Sequence, residues 1–582
     1  MAAQMLFLSL MLFITLGDIQ AHVVPYDHSF THECLVKPLG PQYGGGIVVN
    51  PELKQGLKGW TKVGHAKIEH RTSNDGNNYI VASVYGNRTS TLQNFHLEAD
   101  KLYAFSAWIQ VSHGNAYIKA SFKTQTEDES VAGWVAGQQG CWSMLKGGIV
   151  VNASGPAQLY FETDENPTSD IWITSVSLQP FTQEEWKSHQ DQSVEKVRKG
   201  KVKFQVVDER DRPVSNATVS IKQTQPQFPL GNVMNERILE NPAYAKWFTS
   251  RFKYTVFENE LKWTTTEHDR RGSVNYTLPD AMLNFTKSHG LIARGHTVLW
   301  GIREGNPKWL ANFTIDNREE LWEVANSRVN SVMNRYKEQF IHWDVVNENM
   351  HWTWLEDILG ENASTTFYKK ANEIDPKTLL FLNEYDTIEK SSEKIPSPWK
   401  YLLKIRELRK QGYNGHLGIG LQSHFVGMSL PYIRASIDVL NSAKLPIWVT
   451  ELDVANNTGA LRQAEDLEQI LRELHAHEAV QGIMMWSGWN LHGACFRMCL
   501  TDDNFKNLAT GDIVDKIIAE WSYATGVQGT TKSDGYFDTS LFYGEYEANI
   551  NHHKLPGNSI LQKFKVVPYM KAQDVVLFKI SV

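Results

Sequence analysis

The stretch IHWDVVNE (341–348) is a short, mainly apolar run that ends on a carboxylate, Glu348. Seven further short, mainly apolar runs occur: FPLGNVM (228–234), YTVFE (254–258), LIARGHTV (291–298), TLLFLNEY (378–385), LGIGLQSHF (417–425), PIWVTELDV (446–454) and GIMMWSGW (482–489). Longer amphipathic segments such as REELWEVANSRVNSVMNRYKE (318–338) separate them. Between Glu258 in the second run and Trp486 in the eighth, six run-to-run repeats span 228 residues, or 38 residues per repeat. Buried parallel strands that alternate with helices at this spacing predict a (β/α)8 TIM barrel over residues 228–525.

Polar side chains stand at the end of nearly every run: Glu258, His296, Glu348, Glu384, His424 and Glu451. In a (β/α)8 barrel the carboxyl ends of the strands form the active-site face. One carboxylate at a strand end is more often a buried ion partner than a catalyst, whereas six polar strand ends on one rim are hard to explain as packing. The runs therefore predict an enzyme whose site lies at this rim.

Glu348 and Glu451 are the two carboxylates that this arrangement favours for catalysis. They are 103 residues apart, or about three strand–helix units, which places them across the mouth of the barrel from each other. Glycoside cleavage needs one carboxyl group to protonate the leaving oxygen and one to attack or to activate water, about 5–5.5 Å apart in a retaining enzyme. Since the attacking group must be ionised, we expect His424 to donate a hydrogen bond to Glu451 and Asp453 to orient His424.

Several motifs of the barrel occur together and in order: FENELKW, RGHTVLW, WDVVNE, GLQSHF, WVTELD and the late Trp486. In these motifs the barrel resembles glycoside hydrolase family ten, the endo-1,4-β-xylanases, and it looks most like the plant branch, whose members are secreted to the cell wall. The resemblance implies that Glu348 is the general acid/base and Glu451 the nucleophile of a retaining double displacement on xylan. We expect no cofactor and no metal, since no His or acidic residues stand at a convincing metal-ligand spacing.

The same resemblance implies a set of substrate-binding residues. Glu258, Asn259, Lys262, His296, Asn347 and Gln422 would hydrogen-bond to sugar hydroxyls, Asn347 to the 2-OH, while Trp300 and Trp486 would wall the site by stacking. Many members of the family have a histidine directly after the tryptophan of the third-strand motif, where this sequence has Gly301. We therefore expect the sugar contacts around this strand to differ from those of such members.

Short alternating runs such as KLYAFSAWIQV, AYIKASFKT and IWITSVSLQP predict an antiparallel β-sandwich over residues 22–180. The segments GLKGW (56–60), GNRTSTLQNF, YAFSAWIQV and YFETD resemble family twenty-two carbohydrate-binding modules. That resemblance makes Arg88 and Glu162 candidates for polysaccharide binding. The alternative is that each of them is an ordinary surface or strand-edge charge.

Residues 181–200 carry many charges, few strand formers and no proline, which predicts a helix or a linker at a domain boundary. On either side of the barrel, residues 201–227 and 526–582 are strand-like. Because both ends of a barrel chain lie on the face opposite the site, these two flanks are able to pair, and their motif order resembles small transthyretin-like sandwiches. We expect a split sandwich with the barrel inserted in it; the alternative is two unrelated decorations.

The N-terminus and the cysteines indicate the compartment. The apolar run at residues 5–16 is too short for a bilayer and is followed by the small Ala21, so residues 1–21 predict a signal peptide rather than a buried N-terminal helix. In a secreted chain the four cysteines predict two disulfides instead of a metal site: Cys34, Cys141, Cys495 and Cys499. Eight N-x-S/T sequons agree with secretion to the cell wall without proving it.

Of the 582 residues, 42% are hydrophobic and 21% charged, which excludes a mainly disordered or fibrous chain. The formal net charge of −7 shows no basic excess of the kind that nucleic-acid binding requires. We expect a monomer whose partner is xylan polysaccharide, and neither nucleic acid nor a membrane. Two other functions remain open: an endotransglycosylase that uses the same carboxylates but passes the sugar to another sugar, and a non-catalytic polysaccharide binder.

Overall fold

The structure is a computed structural model that describes residues 24–62, 66–83, 91–163, 169–523, 526–553, 560–568 and 575–581, without the side chains of residues 91 and 92. The predicted signal peptide, residues 1–21, therefore lies outside the described residues. Of the helices in the ranges above, none combines the length and the apolarity that a membrane crossing needs.

The N-terminal part is an antiparallel β-sandwich, as predicted. Its strands are β1 (Thr61–Lys62), β2 (Ile68–Thr72), β3 (Asn78–Ala82), β4 (Thr91–Leu97), β5 (Leu102–Val111), β6 (Asn115–Lys123), β7 (Ser130–Gln138), β8 (Ser143–Ile149), β9 (Gly155–Glu162) and β10 (Ile171–Phe181). Over the described residues they form two sheets, β1-β4-β9-β6-β7 and β2-β3-β10-β5-β8. Alternate side chains from both sheets, among them Phe105, Phe122 and Phe161, form the core between them. A disulfide between Cys34 and Cys141 ties the preceding arm to this sandwich.

The boundary segment is a helix, α1 (Gln183–Val197), followed by β11 (Lys199–Asp208) and β12 (Thr218–Pro226). Thr182 and Glu185 form a capping box that starts α1. The helix is attached to the barrel, because Trp186 Nε1 and Gln190 Nε2 each donate to Glu473 Oε2 at 2.8 Å. It is therefore a packed element and not a free linker.

The barrel region is built from alternating strands and helices. These are β13 (Leu230–Met234), α2 (Pro242–Thr249), β14 (Tyr254–Phe257), α3 (Trp263–Thr266), α4 (Thr277–Ser288), β15 (Ile292–Arg294), β16 (Leu299–Trp300), α5 (Arg318–Arg335), β17 (His342–Asp344), β18 (Val346–Asn347), α6 (Trp354–Leu359), α7 (Ala363–Ile374), β19 (Leu379–Glu384), α8 (Pro398–Lys410), β20 (Leu417–Leu421), β21 (His424–Phe425), α9 (Leu430–Asn441), β22 (Ile447–Val454), α10 (Ala460–Ala476), β23 (Val480–Met485) and α11 (Ala509–Trp521). Within the described residues the parallel strands follow one another in the order β15-β14-β13-β23-β22-β20-β19-β17. A bridge between Gly295 and Trp343 joins the two ends of this series, so the sheet closes into the predicted (β/α)8 barrel.

The segments on the two sides of the barrel meet in shared sheets. The C-terminal strands are β24 (Val527–Thr530), β25 (Tyr536–Phe542), β26 (Gly544–Asn551), β27 (Ile560–Val566) and β28 (Val575–Ile580). Strand β11 pairs with β25 and β28, and β12 pairs with β24 and β26. Buried side chains from both flanks, such as Phe204, Val219, Leu541 and Phe578, form one apolar cluster between the two sheets. The barrel is thus inserted between the strands of a small sandwich.

The N-terminal sandwich packs on the side of the barrel through helix α9, which lies against β8 and β5. Gly148 permits this contact, since a Cβ there would lie 2.4 Å from Pro431 Cβ. Lys146 Nζ lies 2.7 Å from Asp438 Oδ2, with both side chains 2% exposed. A buried ion pair therefore crosses the interface between the sandwich and the barrel.

Candidate active site

The two catalytic candidates lie in one cavity at the carboxyl ends of the barrel strands. Glu348 directly follows β18, and Glu451 lies in the second half of β22. Gln422 contacts both of them: its Nε2 donates to Glu348 Oε1 at 3.1 Å, and its carbonyl oxygen accepts the Glu451 N–H at 3.0 Å. Asn383 also contacts both, accepting the Glu348 N–H at its carbonyl oxygen and donating from Nδ2 to Glu451 Oε1 at 2.8 Å. The two carboxylates thus share their neighbours, as partners in one reaction must.

Glu451 is surrounded by groups that favour its ionised form. His424 Nε2 lies 3.4 Å from Glu451 Oε2, and His296 Nδ1 lies 4.0 Å from Oε1. Burial by itself raises the pKa of a carboxyl group, but here the hydrogen bond from His424 and the nearby His296 and Lys262 outweigh it. They hold the pKa of Glu451 below its usual value, so the carboxylate is available for attack.

His424 is itself held by Asp453. Its Nδ1 lies 2.9 Å from Asp453 Oδ2, a carboxylate that is fully buried. Burial opposes protonation of the imidazole, but the hydrogen bonds and charges of Asp453 and Glu451 raise the pKa of His424 above its usual value. Arg497 Nε lies 3.3 Å from Asp453 Oδ1, and Arg497 Nη2 donates to the carbonyl oxygen of Phe425 at 2.9 Å. Asp453 is thus held by Arg497 as well as by His424, and it fixes the imidazole beside Glu451.

Glu348 has the opposite setting. Burial raises its pKa, hydrogen bonds from Trp300 and Gln422 act in the other direction, and the negative charges of Glu384 and Glu451 raise it further. The net effect is a pKa above the usual value of a glutamate, the direction that favours the protonated form a proton donor needs. Its backbone has a φ of 57°, in the left-handed region that residues other than glycine seldom adopt. Such conformations concentrate at functional sites.

A polar and aromatic wall lines the cavity next to the two carboxylates. Lys262 Nζ lies 4.9 Å from the ring centroid of Trp300 and 5.8 Å from that of Trp486. It also donates to Asn259 Oδ1 at 3.0 Å. Burial lowers the pKa of Lys262, whereas the charges of Glu451, Glu258 and Glu348 act against this. Ammonium, amide and indole groups of this kind bind sugar hydroxyls and ring faces.

The remaining predicted residues of the barrel also lie in this region. His296 is fixed by Asp344, with Nδ1 2.9 Å from Oδ2, and its ring lies 5.4 Å from that of Trp486. Asn347 Oδ1 accepts from Asn383 Nδ2 at 2.9 Å. Glu258 Oε2 accepts from Asn235 Nδ2 at 2.9 Å. All the barrel residues that the sequence pointed to therefore belong to a single site.

Two predicted residues belong elsewhere. Arg88 lies outside the described residues. Glu162 lies on the N-terminal sandwich, where its Oε2 is 3.1 Å from Lys119 Nζ.

Gly301 has a structural reason for being glycine, because a Cβ there would lie 2.4 Å from the carbonyl oxygen of Trp352. The loop after Glu348 approaches the third strand so closely that a histidine has no room at this position.

Sequence reasoning missed several residues that hold the site together. Asn383 contacts Asn347, Glu348 and Glu451, and Asp344, Glu384, Asn235 and Arg497 fix other members of the site. Glu384 was visible as a polar strand end, and Arg497 as a cation between Cys495 and Cys499, which form a disulfide. Nothing local in the sequence marks the others.

Among the described residues, one group of side chains is close enough to hold a metal ion: His28, Asp438 and His477. Hydrogen bonds and ion pairs to the Asp438 carboxylate explain why these side chains cluster, because Tyr26 and Lys146 also donate to it, at 3.2 Å and 2.7 Å. This cluster belongs to the interface between the sandwich and the barrel and not to the cavity of Glu348 and Glu451.

Comparison with known proteins points to one family. The family described as glycosyl hydrolase family 10 matches residues 220–492. The chain is 38% identical over 565 residues to endo-1,4-beta-xylanase 5-like of Arabidopsis thaliana, covering 96% of this chain and 95% of that protein. It is 40% identical over 494 residues to endo-1,4-beta-xylanase 5 of the same plant, covering 83% of this chain and 85% of that protein. With a family match across the barrel and a relative that aligns along nearly its whole length, the chain belongs to glycosyl hydrolase family 10.

Proposed function

We propose that this protein is a secreted endo-1,4-β-xylanase that hydrolyses internal bonds of cell-wall xylan with retention at the anomeric carbon. The main support is that Glu348 and Glu451 share the neighbours Gln422 and Asn383 in one site, with pKa values shifted in opposite directions, that of Glu348 raised and that of Glu451 lowered. The substrate is inferred from the relatives, which are named endo-1,4-beta-xylanases.

In the first step of the proposed reaction, a Glu451 carboxylate oxygen attacks the anomeric carbon while Glu348 gives its proton to the leaving glycosidic oxygen. The bond to the leaving sugar breaks and a glycosyl ester forms on Glu451. Glu348, now a carboxylate, then removes a proton from water, and the resulting attack on the anomeric carbon releases Glu451 and the sugar. Each carboxyl group returns to its starting protonation state.

The test measures reducing sugar and viscosity with xylan as the substrate. We expect wild type to lower the viscosity faster than reducing ends appear, because internal cleavage shortens long chains first. Glu451→Ala should release no sugar, and Glu465→Ala, a change at an exposed glutamate on α10, should behave as wild type. Activity that survives Glu451→Ala would defeat the assignment, and products longer than an added xylo-oligosaccharide would identify an endotransglycosylase.

Secretion is the second part of the proposal. The two disulfides suit an oxidising compartment, and the seven N-x-S/T asparagines that lie among the described residues are all exposed. We expect the full chain, expressed in cultured eukaryotic cells, to appear in the medium with an N-terminus near residue 22 and to lose mass on treatment with an N-glycanase. A chain that stays inside the cell and begins at Met1 would contradict this.

The third part concerns the N-terminal sandwich, for which we propose polysaccharide binding at the face that carries Glu162. Glu162, Lys119 and Trp134 occupy paired positions on β9, β6 and β7, so they share this face. In a catalytically inactive Glu451→Gln background, we expect Glu162→Gln to reduce retention on insoluble xylan, and Glu98→Gln to leave it unchanged. Equal retention of both variants would show that this face does not bind.

A further inference from the structure

The chain that follows the acid/base residue turns back within a few residues. The Trp352 N–H donates to the carbonyl oxygen of Glu348 at 3.0 Å, which closes the turn 348–352. Glu348 enters this turn with a positive φ, so its side chain direction depends on how the turn is held.

A single buried carboxylate, that of Glu384, holds the turn. It accepts the Met350 N–H at 2.8 Å, the His351 Nδ1 at 2.7 Å and the Tyr385 N–H at 3.1 Å. Glu384 is fully buried, and its charge is close enough to Glu348 to raise the pKa of that residue. Strand β19 therefore fastens the turn to the barrel through this carboxylate.

His351 is the side chain that completes this arrangement. Its imidazole side chain is 12% exposed and is stacked on Tyr385, with 3.8 Å between ring centroids and 6° between ring planes. Burial opposes protonation of this ring, but the hydrogen bond to Glu384 and the charges of Glu384, Asp386 and Glu348 raise the pKa of His351. The ring thus supplies a directed donor and a positive charge to a carboxylate that water does not reach. The proposed reaction assigns neither His351 nor Glu384 a step.

We propose that His351 is a positioning residue: through its hydrogen bond to Glu384 it holds the turn 348–352, and with it the Glu348 carboxyl group, in the place where the proton can pass to the leaving oxygen. The inference rests on the proposed function and names a further residue of the same site. A donor displaced by about 1 Å can lose on the order of 10²-fold in rate.

Substrates with different leaving groups distinguish this positioning role from a general contribution of His351 to folding. Proton donation matters for a sugar leaving group, which is a poor one, and hardly at all for a dinitrophenolate, which departs without a proton. We therefore compare kcat/KM on xylotetraose with kcat/KM on a 2,4-dinitrophenyl β-xylobioside. The ratio of the two is independent of the fraction of enzyme that has folded, so a partly unfolded variant remains informative.

Two matched variants test the contact. His351→Phe keeps a ring on Tyr385 but has no donor, and His351→Asn keeps a donor near the place of Nδ1 but has no ring. For His351→Phe we expect kcat/KM on xylotetraose to fall on the order of 10²-fold, with activity on the aryl substrate near that of wild type. His351→Asn should recover most of the loss.

Two results in His351→Phe would overturn the inference: equal losses on both substrates, or no loss on either. If His351→Phe yields no folded protein, His351→Ala is measured in the same way with and without added imidazole, and an absence of any imidazole-dependent gain on xylotetraose would count against it. Failure of the proposed function looks different, because wild type itself would then release nothing from either substrate.

Discussion

The ionisation of the Glu451 carboxyl group depends on the groups that surround it. A carboxylate removed from water is strongly disfavoured unless donors and opposite charges compensate it. Here Asn383 and His424 contact the carboxylate, and Asp453 holds His424 in turn. Glu348, in the same site, has no cation of this kind among its hydrogen-bond partners in the described residues, and burial raises its pKa. One cavity thus supports two carboxyl groups with different roles.

Removal of the His424 side chain tests this dependence. With His424→Ala, Glu451 loses the largest of the contributions that oppose its burial, so the pKa of Glu451 rises. Because attack needs the ionised form, the acid limb of the kcat/KM profile should move to higher pH by at least about one unit, equivalent to tenfold at a fixed low pH. Stopped assays on xylotetraose across the pH range measure this shift.

The control for this profile is His492→Ala, which changes an exposed histidine in a loop beyond β23. It should leave both limbs in place. An acid limb that does not move in His424→Ala would mean that Glu451 is kept ionised by something other than the imidazole.

The residues that the sequence revealed are those at strand ends. Glu348, Glu451 and His424 follow apolar runs, and Asp453 lies two residues beyond Glu451, on the same face of the strand. Asn383 could not be recognised in this way, because its contacts are with residues 36 and 68 positions away. These contacts of Asn383 form only when the barrel closes, so no local sequence pattern indicates them.

At the scale of elements, each of the eight apolar runs overlaps a barrel strand. In the third and sixth runs the strands, β15 and β20, end before the run does. The chain leaves the regular strand hydrogen-bonding pattern of β15 before His296 and that of β20 before His424. These irregular ends aim the two imidazoles at Glu451. Periodicity predicts the regular part of a strand but not the departure from it, and here the departures carry the chemistry.

The two disulfides are expected to have separate effects. In the chain-entropy description a disulfide stabilises the folded state more when it closes a longer segment. Cys34–Cys141 should then add about 4–5 kcal/mol to the free energy of unfolding, and Cys495–Cys499 about 2 kcal/mol. The short one holds the loop that places Arg497 on Asp453. Cys495→Ser/Cys499→Ser should therefore lower kcat/KM several-fold with a small loss of stability.

Cys34→Ser/Cys141→Ser is the matched comparison, for which we expect the larger loss of stability and an activity near that of wild type. Denaturant unfolding and initial rates on xylan measure the two effects. If both double variants lose stability and activity in the same proportion, the short disulfide has no specific relation to the site.

At the scale of the whole molecule, buried polar contacts join the N-terminal sandwich to the barrel. Asp438 of α9 is contacted by Lys146 from β8 and by Tyr26 and His28 from the N-terminal arm. Glu473 of α10 is contacted by Arg434 and by two side chains of α1. The sequence marked a boundary at residues 181–200, but it could not show that the elements on both sides of it share a buried interface.

Asp438→Ala should destabilise the protein by about 3–5 kcal/mol, since Lys146 would be left buried without its partner. The double variant Lys146→Met/Asp438→Leu should recover part of this loss, because the buried charge of Lys146 is removed together with its partner, while Tyr26 and His28 still lose their acceptor. Calorimetry measures both. A loss in Asp438→Ala below about 1 kcal/mol, typical of exposed ion pairs, would mean that water reaches this interface.

The central claim is that Glu451 becomes covalently attached to the sugar while Glu348 moves the proton. Incubation with a 2-deoxy-2-fluoro-β-xylobioside that carries a dinitrophenolate leaving group slows release of the sugar from the enzyme, and mass spectrometry of peptides then locates it. We predict one fluorosugar per chain, on Glu451, and none on Glu451→Ala. A label on another residue, or turnover that inverts the anomeric configuration without any label, would contradict the account.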